Sequence, residues 1–98
     1  MNSVSISRVV VSQEGDQLYT FEYAATLTQT STHVIERFVS LGLIEPTESM
    51  LRSRDIARIA QIQRLRRDLG INLVGAAIVL DMAQEIAQLK AQLKARQS

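Results

Sequence analysis

The 98-residue sequence contains no cysteine, no tryptophan, one proline and one histidine, and only 4% of its residues are aromatic. Without cysteine the chain forms no disulfide and offers no thiolate ligand or thiol nucleophile. The shortage of aromatics argues against stacking surfaces for single-stranded nucleic acid. No apolar run approaches the roughly 18 residues of a membrane span, and the N-terminus lacks the basic-then-apolar order of a signal peptide. We therefore expect a cytoplasmic protein that does not enter a membrane.

The groups that carry catalysis are also missing. An enzyme needs a nucleophile with a base, a carboxylate pair in a pocket, or a metal. The single histidine, His33, does not build a multi-histidine metal site, and we expect it to face solvent. The carboxylates are scattered and the four glycines are isolated, so no phosphate-binding loop is present. We expect a non-enzymatic protein with no cofactor and no metal, and the sequence indicates no particular small-molecule ligand.

What is present indicates a small globular protein. Apolar residues make up 46% and charged residues 21% of the chain, close to the globular average. A chain this short buries only about 60–65% of its unfolded surface, so a partner that buries more would help to stabilise it.

The first half of the chain predicts a short β-hairpin or arm followed by a helix-turn-helix. Alternating Ser, Val and Ile over residues 3–11 predict a strand, and Leu18–Tyr19 a second one after the turn residues 14–16. Thr20 is a plausible N-cap for a helix over 21–28, and Ser31 for a helix over 32–41. Gly42 and Pro46 end the second helix.

The second half predicts two longer helices after a connector over residues 47–53. Ser53 is the expected N-cap of a helix over 54–69 that ends at Gly70, and Asn72 the N-cap of a helix over 73–96. Residues 73–80 are apolar on all sides and are expected to be buried. We divide the chain into an arm (1–18), a helix-turn-helix core (19–72) and a C-terminal dimerisation helix (73–98).

Five apolar residues of the last helix alternate steps of three and four, the spacing of a coiled-coil seam: Val79, Met82, Ile86, Leu89 and Leu93. This seam predicts a homodimer, while the alternative is that it folds back on its own domain. The flanking positions carry few charges, so the pattern leaves parallel and antiparallel pairing open.

Charge is unevenly distributed along the chain. Residues 1–50 carry two basic against six acidic residues, a formal charge of −4, and residues 51–98 carry nine against four, or +5. Beside its apolar face the second helix presents His33, Glu36, Arg37 and Ser40, which offers duplex DNA little net attraction because phosphate binding depends on Lys and Arg. The arginines between 52 and 67 form either a solvated helix face or a surface for phosphates or an acidic partner.

The residues then become recognisable. Three stretches resemble the winged helix-turn-helix of MerR-type regulators: Tyr19–Ala25, Ser31–Phe38 and Leu41-Gly42-Leu43-Ile44-Glu45-Pro46. The run Asp68-Leu69-Gly70-Ile71-Asn72-Leu73-Val74-Gly75-Ala76-Ala77 is similar to the CbpM chaperone-modulator branch of this superfamily, and its Asn-Leu-x-Gly segment also to the heat-shock repressor branch. The resemblance implies a mainly α, MerR-like fold with a short β-hairpin or arm and a long C-terminal helix.

The CbpM resemblance also implies a function. Proteins of that branch bind the J domain of a DnaJ-type co-chaperone and inhibit it. MerR-type DNA binders usually carry an arginine and two aromatics late in the second helix, where this chain has Glu36, Arg37 and Phe38. Their wing normally contains Gly and Tyr, both absent from residues 48–53. The CbpM resemblance, together with these departures from the pattern of MerR-type DNA binders, favours a chaperone modulator over a DNA binder.

Three functional hypotheses follow. In the first, the chain binds a J-domain co-chaperone through Glu36, Glu45 and Glu48. In the second, it is a MerR-family transcriptional regulator that contacts DNA through Arg37, Arg52 and Arg54. In the third, it is an adaptor that uses only its last helix.

Overall fold

The computed structural model describes the backbone of residues 9–11 and 17–97 and the side chains of residues 17–97. The predicted turn over 14–16 and the first part of the predicted strand lie outside the described residues. The predicted mainly α class is confirmed. In chain order the elements are β1 (Val9–Val11), β2 (Gln17–Tyr19), α1 (Phe21–Thr28), α2 (Thr32–Ser40), β3 (Leu51–Arg52), α3 (Ser53–Leu69) and α4 (Leu73–Gln97).

The helix-turn-helix forms where the capping residues predict it. The Thr20 hydroxyl accepts from the Tyr23 N–H at 3.1 Å, and the Ser31 hydroxyl accepts from the Val34 N–H at 3.3 Å. Each cap satisfies an N–H that has no partner inside the helix. Gly42 has φ +76°, in the left-handed region that glycine adopts without strain, and its N–H donates to the Val39 carbonyl.

A three-stranded antiparallel sheet in the order β1-β2-β3 accompanies these helices. Val10 pairs with Leu18, and Leu18 pairs with Arg52. The predicted connector over 47–53 is therefore wrong in part, because it contains β3 and, just before it, a hairpin. In that hairpin Thr47 and Met50 exchange backbone hydrogen bonds of 2.8 and 2.9 Å.

The core of the helix-turn-helix is fully enclosed. Ile35 and Phe38 of α2, Leu18 of β2 and Leu51 of β3 are each 0% exposed. The same element α2 turns Glu36 and Arg37 to solvent. Burying a side chain such as Phe38 stabilises the fold by roughly 1.5–3 kcal/mol, so this apolar set fixes which face of α2 is left outside.

The start of α3 differs from the prediction by one residue. The helix includes Ser53, which was expected to be its cap, and Asp55 in the first turn reaches back to the residue before the helix. Asp55 is 8% exposed, and its Oδ2 accepts from the Arg52 N–H at 2.9 Å. A carboxylate bonded in this way also complements the positive end of the helix dipole.

The last helix begins as predicted. Gly70 has φ +67° after the end of α3, and the Asn72 Oδ1 accepts from the Gly75 N–H at 2.8 Å. Leu73, Ala76 and Ala77 are buried. The expectation that residues 73–80 are buried throughout is wrong, because Val74, Ile78 and Val79 are 43%, 53% and 37% exposed. An all-apolar window contains no information about which side of the helix finds a neighbour.

The residues group into two compact units, Met1–Ala60 and Gln61–Ser98, with the division inside α3. The boundaries predicted after residues 18 and 72 stay predictions. Within the described part of the chain no single helix is long and apolar enough to cross a membrane; α3 and α4 pass that test only as a pair bent by 109°. In the same residues, no three His, Asp or Glu side chains come together as metal ligands.

Candidate partner-binding surfaces

The outer face of α2 is polar and carries opposite charges. The His33 side chain is 95% exposed, which confirms that it faces solvent, and that of Glu36 is 62% exposed. His33 Nδ1 lies 3.9 Å from Glu36 Oε1, and Arg37 and Ser40 are exposed on the same element. In a helix-turn-helix the second helix is the one that enters the major groove. Here that helix presents one carboxylate and one guanidinium.

The wing that follows α2 is short. It consists of the two-residue turn Glu48–Ser49 between Thr47 and Met50. Both turn residues have positive φ, 54° and 62°, the conformation of a primed hairpin turn that usually holds Asn or Gly. Glu48 and Ser49 are exposed, so the tip of the wing presents a carboxylate. Glu45 is also exposed, next to the buried Ile44.

The exposed charges of residues 17–50 are thus mostly negative. Four carboxylates, Glu22, Glu36, Glu45 and Glu48, are all exposed, and Arg37 is the basic residue of this range. A phosphate backbone meets net repulsion from such a set, whereas a basic protein surface is attracted to it.

The arginines singled out from the sequence separate into two roles. Arg58 is half-buried, and its Nε donates to the Leu43 carbonyl at 2.7 Å, which fastens the loop after α2 to α3. Arg52 and Arg54 lie together at the start of α3. With Gln17 and Ser53 they line an open depression of about 190 Å³. Arg37 lies on α2 and is not among the residues that line it.

The seam of α4 is exposed along its whole length. Val79, Met82, Ile86, Leu89 and Leu93 are between 37% and 57% exposed. Val74 and Ile78 continue this exposed row toward the start of the helix, because residues four apart lie on one face. Leu73 and Ala77 occupy a different side of the same turns and are buried. One face of the helix therefore has neighbours and another presents apolar side chains to solvent.

Several features of these surfaces were not predicted. The Arg58–Leu43 contact joins residues distant in the sequence and has no local signal. The Asp55–Arg52 contact is local and has the three-residue spacing of the reach-back acid in a capping box, but Arg52 is not the Ser or Thr that marks this motif in a sequence. Tyr19 and Tyr23 stack with ring centroids 5.4 Å apart, a contact between a strand and a helix that their spacing does not predict.

A comparison of the sequence with known protein families identifies the family of this helix-turn-helix. The sequence model of the MerR HTH family of regulatory proteins covers residues 19–96. The chain belongs to the MerR family. This confirms the resemblance that the helix-turn-helix and the segment after it indicated. The matched range runs from the end of β2 almost to the end of α4, so the long helix belongs to the family domain.

One relative of this MerR-family chain is a putative heat shock protein named HspR from Streptomyces coelicolor. It is 30% identical over 83 residues, which cover 80% of this chain and 55% of that protein. The chain therefore spans about half the length of the curated relative that it matches. No solved structure gives a significant match.

Proposed function

We propose that this MerR-family chain is a non-enzymatic chaperone modulator that binds the J domain of a DnaJ-type co-chaperone and inhibits it. One observation carries the proposal: the helix-turn-helix, which in a DNA binder faces phosphates, exposes four carboxylates and one arginine over residues 17–50. The similarity of residues 68–77 to the CbpM branch supports it, as does a relative named as a heat shock protein.

Electrostatics favours this partner over a duplex. Most nonspecific affinity for DNA comes from counterions released when Lys and Arg meet phosphates. The outer face of α2 supplies one such side chain, Arg37, and Glu36 lies directly beside it in the sequence. J domains generally present a basic helix, and complementary charge raises the association rate and the specificity of such a complex.

The residues proposed to contact the partner are Glu36, Glu45 and Glu48. All three side chains are exposed. Glu48 sits at the tip of the wing with φ 54°. Non-glycine residues in this conformation cost of order 1 kcal/mol and tend to persist where function requires them. The wing tip keeps the acidic Glu48 despite this conformational cost, which fits a contact with a basic partner.

The chain is proposed to act as a homodimer through α4. The seam residues Val79, Met82, Ile86, Leu89 and Leu93 are exposed, and a row of this spacing packs well against a second helix. A second copy of α4 supplies that surface. The proposal requires no cofactor and includes that the chain acts in the cytoplasm.

Calorimetric titration of the full chain with the J domain of the co-chaperone from the same genome tests the proposal. We expect binding at micromolar concentrations that weakens as salt rises, because the contact is between opposite charges. A triple variant, Glu36→Lys, Glu45→Lys and Glu48→Lys, should lose at least about tenfold in affinity. The control is Glu85→Lys, which reverses an exposed acid on α4. Absence of binding at tens of micromolar contradicts the proposal.

The second candidate is a DNA-binding transcriptional regulator. It is supported by membership of the MerR family and by the two arginines, Arg52 and Arg54, that line one depression at the start of α3. This function predicts steep salt dependence and a clear preference for one duplex sequence. A mobility shift no stronger than that with bulk nonspecific DNA removes it.

A further inference from the structure

One residue of β2 and two residues of α1 form a row of aromatic and apolar side chains, which we call the tyrosine–leucine stripe: Tyr19, Tyr23 and Leu27. The rings of Tyr19 and Tyr23 stack at 5.4 Å with an angle of 16° between their planes. The Tyr19 hydroxyl donates to Gln17 Oε1 at 2.7 Å. Leu27 follows Tyr23 by one helical turn, so the stripe continues along the helix.

The buried residues of α1 do not belong to the stripe. The helix packs inward through Ala24 and Ala25, which are 0% and 6% exposed. Leu27 is 53% exposed, more than Leu41, the other exposed leucine of the unit at 42%. Both tyrosines are half-buried, and their stacking holds two rings in a fixed orientation without enclosing them. Tyrosine is enriched among the residues that dominate binding at protein interfaces, and the exposed Leu27 adds apolar area beside the two rings.

The charge beside the stripe is acidic. Glu22 is exposed next to Tyr23, and α1 contains no lysine or arginine. Tyrosine rings attract cations to their faces, and a carboxylate at the edge adds to that attraction. The combination suits a partner helix that carries both aliphatic and basic side chains. The aliphatic side chains would pack against Leu27, and Lys or Arg would contact the tyrosine rings and Glu22.

We propose that the tyrosine–leucine stripe, with Glu22 at its edge, is the docking surface for the basic helix of the J domain. This inference rests on the proposed function and specifies where the partner makes its apolar contact. The stripe lies on α1 and β2, whereas DNA reading by a helix-turn-helix depends on the second helix, here α2. Substitutions in the stripe therefore separate protein binding from DNA binding.

The test compares two exposed leucines in the same unit. Leu27→Gln removes apolar area from the stripe, and Leu41→Gln is the matched control. We expect Leu27→Gln to weaken J-domain binding by about tenfold, the size typical of an interface anchor, and Leu41→Gln to change it by less than about twofold. Thermal unfolding should be nearly unchanged in both, because both side chains are already exposed. Nonspecific DNA binding of the Leu27 variant should equal that of the unsubstituted chain.

A charge variant gives an independent readout. Glu22→Lys should weaken J-domain binding and reduce its salt dependence, and it leaves every apolar contact in place. If the unsubstituted chain binds the J domain and neither Leu27→Gln nor Glu22→Lys weakens that binding, the stripe is not the docking surface. The proposed function then still stands. Absence of wild-type binding overturns both. Weakened binding with unchanged unfolding supports the stripe.

Discussion

Helices α2 and α4 are both amphipathic, yet their apolar faces meet different surroundings. In α2, Ile35 and Phe38 are 0% exposed. In α4, Met82, Leu89 and Leu93 are 56–57% exposed. The first helix finds its neighbours within the chain, and the second presents a row of the same kind to solvent. This exposed row is the basis of the proposed contact with a second copy of the chain.

The largest expected effect is on the proposed dimer contact through the seam of α4. Ile86→Asp places a charge in the centre of the seam in both copies and removes two buried side chains, which costs about 3–6 kcal/mol of dimerisation free energy. Sedimentation equilibrium should show a dissociation constant raised by at least about a hundredfold. Gln88→Asp, also exposed on α4 but outside the seam, should leave the dimer intact. A dimer that survives Ile86→Asp means that the seam is not the interface.

A substitution in the buried face of α2 tests how much that face contributes to stability. Phe38→Ala empties the core between α2 and its neighbours and should lower the free energy of unfolding by about 3–5 kcal/mol. Chemical denaturation measures this directly, with Ser40→Ala on the exposed face as the control. Similar unfolding curves for the two variants would show that Phe38 is not a core residue.

A smaller loss is expected at the start of α3. Asp55→Ala leaves the Arg52 N–H without its 2.9 Å acceptor and should cost about 1–3 kcal/mol. Asp68→Ala removes an exposed acid near the end of the same helix and should change stability by less than about 0.5 kcal/mol. Thermal unfolding of the two variants compares a bonded carboxylate with a solvated one.

The smallest effects concern backbone conformation and have opposite signs. Ser49 has φ 62°, so Ser49→Gly should stabilise the wing by up to about 1 kcal/mol. Gly42 has φ 76°, and apart from Gly42 and its two chain neighbours no atom of the described residues lies within 4 Å of the position that an added Cβ would take. Gly42→Ala should therefore destabilise the fold by about 1 kcal/mol through the backbone alone. Changes of equal sign in the unfolding free energies would contradict the assigned conformations.

Local patterns predicted the elements of the helix-turn-helix well, because caps and glycines act on their own neighbourhood. Thr20 begins α1 and Ser31 begins α2 as expected. Strand β3 was missed because its two residues, Leu51 and Arg52, have no periodicity and depend on pairing with β2, which is distant in the sequence.

The candidate surfaces were predicted less completely, because, like β3, they depend on how different elements pack against each other. The acidic helix-turn-helix and the altered wing predicted Glu36, Glu45 and Glu48 as partner-facing acids, and the structure exposes all three. The tyrosine–leucine stripe needed the fold of β2 onto α1, which brings Tyr19 against Tyr23. The exposure of Val74 and Ile78 depends on which side of α4 packs, and a uniformly apolar sequence does not specify it.

The most direct test of the central claim is a competition between the two kinds of partner. A complex of the full chain with a fluorescently labelled J domain is challenged with duplex DNA while anisotropy is followed. The account predicts no displacement, because the exposed acids of residues 17–50 repel phosphate and attract the basic helix. Displacement of the J domain by sub-stoichiometric duplex, with a preference for one sequence, would contradict it.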